Sequence, residues 1–224
     1  GNNFVEAYKA LKAFDATRPV QYERNNDIVD MGSNQYPSIG WTQGAVTGKY
    51  GIKYPFHVSE YAHSMGNSTG SMKDYWDVIR KYDNLLGGHI WDWMDQGIAA
   101  VNEAGVKYWK YGGDFEPEGE GHDANFLING IVFPDGTPKP ALYTCKYVYQ
   151  PIEFTAVDLN AFRIALKNRN FHKSTKDYTY DWELKDEKAV LQKGNLAVPV
   201  MAPGETVEVV VPVKKFAPKQ GVTY

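Results

Sequence analysis

The chain has 224 residues, 43% of them hydrophobic and 23% charged, with a formal net charge of −3. That size holds one or two domains around a sizeable core, and the interspersed charges exclude the basic stripe of a nucleic-acid-binding protein. No apolar run approaches the roughly 18–20 residues of a membrane-spanning helix, so a membrane partner is excluded too. A single cysteine, Cys145, rules out an intrachain disulfide and reads as packing rather than as a nucleophile. The opening Gly1-Asn2-Asn3-Phe4 has no initiator Met, basic region or apolar leader. It reads as a piece of a longer soluble protein, with the compartment open between cytoplasm and periplasm.

Phe4, Tyr8, Leu11 and Phe14 recur at helical spacing, which predicts a helix over 3–14 capped by Asn2 or Asn3. Short extended runs follow at 19–23 and 28–31, then a Gly/Ser/Asn-rich loop over about 32–50. Residues 55–61, Pro-Phe-His-Val-Ser-Glu-Tyr, read as a buried strand with a polar exit. A helix over 70–84 carries Met72, Tyr75, Trp76 and Ile79 on one face. A strand near 86–92 ends in Trp91-Asp92-Trp93, and a helix over 138–150 is opened by Pro138 or Pro140. Alternating strands and helices to about residue 150 predict an α/β domain of parallel strands, about four of them, or half of a (β/α)8 TIM barrel. From 151 to 224 the pattern turns to alternation, as in Phe162–Leu166, Thr179–Leu184 and Thr206–Val211, with turns expected at Gly194-Asn195 and Pro203-Gly204. That predicts an all-β unit, an immunoglobulin-like β-sandwich.

Three clusters hold chemistry. Ser59-Glu60-Tyr61-Ala62-His63 places a carboxylate where an apolar strand ends, the end at which β/α barrels do catalysis. Retaining glycoside hydrolysis needs such a carboxylate as nucleophile, with a second as general acid/base about 5–5.5 Å away. On position alone, a surface glutamate at a strand end is an equal reading. Trp91-Asp92-Trp93-Met94-Asp95-Gln96 brings two indoles and two carboxylates to a rim, as a sugar platform would, and one of the two indoles is expected to plug the barrel end. In Phe126-Leu127-Ile128-Asn129-Gly130, a side-chain amide and nearby carbonyls form an oxygen-rich corner, suited to Na⁺ or a hydroxyl or simply to bracing its own loop. The 14% aromatic content suits stacking on sugars as well as packing. No zinc motif, phosphate loop or nucleophile elbow is present.

The stretches SEYAHSMGNS (59–68), GGHIWDWMDQ (87–96), YGGDF (111–115) and NGIVFPDGTPKPAL (129–142), with TRPVQYE (17–23), resemble the family-2 glycoside hydrolases, the large β-galactosidases in particular. The resemblance covers residues 1 to about 150 and implies a retaining β-galactosidase parent whose substrate is a terminal β-galactoside; the alternatives are a family-2 hydrolase for another β-glycoside or, for the chain as cut, a non-catalytic carbohydrate-binding or structural module. It implies Glu60 as nucleophile, Tyr36 as its hydrogen-bonding partner, His63 as a galactose-hydroxyl ligand and Trp91 under the sugar's apolar face. It implies Phe126, through its backbone oxygen, and Asn129 as ligands of a Na⁺ that contacts the 6-hydroxyl. Residues 30–35 depart from the family's residues before that tyrosine. The family's acid/base glutamate and its Mg²⁺ ligands precede the helix that starts near Asn3. The resemblance therefore implies a chain that is nearly inert alone, and that associates with itself or with the missing N-terminal half.

Overall fold

The computed structural model describes residues 1–23 and 26–224. Contacts divide them into two compact units, Gly1–Val148 and Tyr149–Tyr224.

The first unit is built on a three-stranded parallel sheet, ordered β1 (Gly32–Gln35), β2 (Phe56–Tyr61), β3 (Leu85–Ile90). Among the described residues, four α-helices accompany it: α1 (Asn2–Phe14), α2 (Ile39–Val46), α3 (Met72–Lys81) and α4 (Pro140–Val148). A β4 (Ile98–Val101) and β5 (Lys107–Lys110) hairpin and a 3₁₀ turn (Ala124–Leu127) complete it. One face of the sheet is the core: Phe56, Val58 and Tyr61 are 0% exposed and cluster with Met72, Ile79, Leu85, Cys145 and Val148. Each such large apolar side chain, fully buried, stabilises the unit by about 1.5–3 kcal/mol. Cys145 is part of this packing, and burial pushes its thiol up. Two hydroxyl-bearing rings fasten α3 to the strand ends: the Trp76 indole donates to Tyr61 Oη at 2.8 Å, and Tyr75 Oη to the Pro37 carbonyl at 2.7 Å.

Several expectations need correction. Residues 19–23 and 28–31 form no strands, because a side chain takes the place of a ladder. Asp30 accepts from the Val20 amide (2.8 Å), Tyr8 (2.7 Å) and Lys12 (3.1 Å), while its own amide meets the Val20 carbonyl. The expected loop over 32–50 instead contains β1 and α2, whose N-cap is Ser38, accepting from the Trp41 amide. α1 is capped by Gly1 without a side-chain bond, not by Asn2 or Asn3, and buries none of its residues. The hairpin β4–β5 was not foreseen.

In the second unit, β10 (Thr206–Val210), β7 (Arg163–Asn168) and β6 (Ile152–Asp158) form one antiparallel sheet, and β8 (Asp181–Lys185) with β9 (Val190–Asn195) a second. Leu166 and Met201, both 0% exposed, centre its core with Ile152. The turn expected at Gly194-Asn195 lies inside β9, where Gly194 pairs with Trp182. A Cβ at Gly194 would stand 3.1 Å from the indole nitrogen, so the glycine makes room for the ring. The β8–β9 turn falls at Asp186, which accepts from the Lys188 and Ala189 amides. The turn at Pro203-Gly204 is present, with Gly204 at φ +78°.

Among the described residues, no helix is long and apolar enough to cross a membrane.

Candidate active site

A bulge in β2 aims Glu60. Asn34 pairs with Val58 and Gln35 with Glu60, so Ser59 is an extra residue without a partner on β1. Strict alternation would put Glu60 on the core face with Phe56 and Val58. Instead the burial runs buried, half, buried, half, half, buried from Phe56 to Tyr61, and both Ser59 and Glu60 leave the core. Bulges are placed beside functional sites for this purpose. The Ser59 hydroxyl donates to the Glu23 carboxylate and so fixes the bulged residue.

The three strand ends are stitched together by backbone. The Tyr36 amide donates to the Glu60 carbonyl (2.8 Å), that of Trp91 to Tyr61 (3.1 Å), and that of Ser64 to Trp91 (2.8 Å). Tyr36 and Ala62 sit in the left-handed region, at φ +48° and +52°, where side chains are uncommon and usually have a local reason. These turns bring the Tyr36 and His63 rings together, centroids 6.0 Å apart, with Phe126 5.4 Å beyond His63. The Tyr36 phenol is held well above its ordinary range, first by partial burial, then by its hydrogen bond to Glu60 and by the charges of Glu60 and Asp92. It therefore stays protonated and donates to the carboxylate.

Asn129 is 1% exposed. Its Nδ2 donates to the Phe126 carbonyl at 2.8 Å, its carbonyl accepts from the Asp92 amide at 2.7 Å, and its Oδ1 is buried without a partner. The amide both braces its own loop and presents an unsatisfied acceptor. Trp91 is 38% and Trp93 61% exposed, so neither plugs the unit. Of the two carboxylates expected on that platform, Asp95 is not there: it is 3% exposed and paired to Lys139.

Glu60, Tyr36, His63 and Phe126 thus form a row of neighbours, Glu60 beside Tyr36, Tyr36 beside His63 and His63 beside Phe126. Trp91 joins them through its strand end, and Asn129 through Phe126 and Asp92. Sequence reading assigned no role to Glu23 or Ser59 and did not pair Asp95 with Lys139. For Asp95 the usable signal was a lysine within a second motif, which only the folded chain brings near. Among the described residues, no group of three or more His, Cys, Asp or Glu converges on a metal position.

The sequence profile of the glycosyl hydrolases family 2 TIM barrel domain matches residues 1–154. The chain belongs to glycoside hydrolase family 2. The β-galactosidase domain 4 profile matches residues 164–224 of this family-2 chain. Its relatives include the β-galactosidase of Pseudoalteromonas haloplanktis, 36% identical over 225 residues, covering 92% of this chain and 21% of that one. The β-galactosidase of Vibrio vulnificus strain YJ016 is 35% identical and covers 100% of this chain and 23% of its own length. For β-galactosidase 2 of Enterobacter cloacae the figures are 34%, 97% and 22%. The family-2 chain therefore spans a little over a fifth of these relatives.

Proposed function

We propose that this chain carries the nucleophile side of a retaining β-galactosidase site. Glu60 attacks the anomeric carbon of a terminal β-galactoside, the leaving oxygen takes a proton from a general acid outside this chain, and the same group later activates the water that releases galactose. The observation that carries this reading is the β2 bulge, which turns Glu60 off the core face at the carboxyl end of a parallel sheet, with Tyr36 hydrogen-bonded to it. In this reading the first unit is the second half of a (β/α)8 barrel and the second unit an immunoglobulin-like sandwich. Trp91 offers an apolar face to the sugar and His63 a hydrogen-bonding ring.

The Phe126 carbonyl and the orphaned Asn129 Oδ1 fit a hard, oxygen-seeking cation such as Na⁺, which when bound would fix a sugar hydroxyl. Among the described residues, no group of three or more His, Cys, Asp or Glu converges as a carboxylate-rich site for Mg²⁺ would.

From a 2-fluoro-β-galactoside bearing a dinitrophenyl aglycone, the dinitrophenolate departs without acid help as Glu60 bonds to the anomeric carbon, so the reagent tests Glu60 separately from the missing partner. Mass spectrometry should find the label on the peptide containing Glu60 and none in Glu60→Gln; a label on another carboxylate overturns the assignment. General acid/base help is worth about 10²–10⁴-fold, so ordinary aryl β-galactosides should turn over very slowly with this chain alone. Brisk hydrolysis abolished by Glu60→Gln would place the acid within it.

A further inference from the structure

Asp95 lies in the segment that follows Trp91 and Asp92, and its side chain is 1% exposed. Its Oδ1 accepts from the Gly130 amide at 2.8 Å and from Lys139 Nζ at 2.6 Å. Lys139, itself 12% exposed, also stands 5.2 Å over the Phe133 ring, which holds its ammonium from another side. The backbones are joined as well: the amides of Asp92, Asp95 and Gln96 donate to the carbonyls of Asn129, Val132 and Leu127, at 2.7, 3.0 and 2.9 Å. A Cβ at Gly130 would fall 2.2 Å from the Asp95 nitrogen, so the two segments touch main chain to main chain. A carboxylate this deep is stable only if its charge is met.

We propose that Asp95 and Lys139 are positioning residues of the sugar site. Their ion pair clamps the segment bearing Trp91 onto the corner formed by Phe126 and Asn129, and so sets the spacing between the stacking face and the oxygen ligands. Their role in sugar recognition rests on the function proposed above; the clamp itself does not.

The test compares the 224-residue chain with Lys139→Met, Lys139→Arg and the double variant D95N/K139M. Hydrogen exchange read by mass spectrometry should accelerate about a hundredfold across 91–96 and 126–132 in Lys139→Met, as befits a buried pair that has lost one partner. β2 and α3 should keep their wild-type rates, and Lys139→Arg should restore the two segments. If Lys139→Met does not fold, the double variant, which leaves no uncompensated charge, takes its place with the same local acceleration expected. Galactose binding, followed by tryptophan fluorescence in sodium buffer, should weaken at least about tenfold in parallel and recover in Lys139→Arg. Exchange that is unchanged, or that rises evenly over the whole first unit, overturns the clamp, and wild-type affinity in a variant whose two segments have loosened overturns its role in spacing the sugar site. A wild-type chain that binds no galactose overturns the sugar reading instead, while the exchange experiment still decides the clamp.

Discussion

In the proposed reading Glu60 and Tyr36 act as a pair: one carboxylate and one phenol that is kept protonated beside it. Tyr36→Phe removes a hydrogen bond to a charged acceptor. The rate at which the fluorogalactoside labels Glu60 should fall about ten- to a hundredfold, with the circular dichroism spectrum unchanged. The phenol lies above its ordinary value of 10.0, so wild-type labelling should show no alkaline break near pH 10 from this group. Gly130 is a residue-scale constraint of another kind. An alanine there meets the backbone of Met94 and Asp95 at 2.2–2.6 Å, and backbone cannot rotate away. Gly130→Ala should lower unfolding stability by about 1–3 kcal/mol, the usual cost of overpacking, as read from the urea midpoint.

At the scale of elements, β2 shows how one inserted residue changes a strand's meaning. Its sequence alternates cleanly from Phe56 to Val58, and a reader extending that alternation would bury Glu60; the Ser59 bulge reverses the parity. Asp30 works at the same scale, tying α1 to the segment that begins at Pro19. Its carboxyl is lowered to about 2, first by the Tyr8 hydroxyl, then by the Val20 amide and Lys12. A carboxyl depressed in the fold from about 3.9 in the unfolded chain contributes its stabilisation fully above about pH 4. That contribution is lost as the pH falls through about 2. Melting temperatures taken from pH 5 to pH 2 should decline less steeply in Asp30→Asn, which starts lower at pH 5 and lacks this titration.

For the whole molecule, the parallel sheet is the telling feature. Parallel strands are normally covered on both faces and flanked by neighbours. Here, among the described residues, β1 and β3 are the outer strands of a three-stranded sheet, and the face carrying Glu60 is polar and half-buried. Exposed Phe14, Trp93, Ile98, Val101 and Phe115 add apolar surface to the same unit. Open strand edges and apolar patches promote association. Light scattering should therefore show mass increasing with concentration, and a polypeptide supplying the strands that the proposed half-barrel lacks should suppress it; a monomer at high concentration argues against this.

Much of the candidate site was legible in the chain itself, since Glu60, His63, Trp91 and Asn129 stand in stretches whose residue types and spacing are local properties. So were α3 and α4, where an apolar period of 3.6 or a proline start is written within one segment. Legibility ended where long-range partners decide. Val20 and Val29 have strand-like neighbours but no ladder, because Asp30 occupies the amide that a strand would have paired. Gly194 looks like a turn, yet sits in β9 because Trp182 lies over it. Asp95 looks like a second site carboxylate, but Lys139, 44 residues away, takes it into the interior. Sequence determined which groups are available for sugar chemistry. Tertiary structure decided which of them face the candidate site, because burial, register and charge pairing depend on residues that only folding makes neighbours.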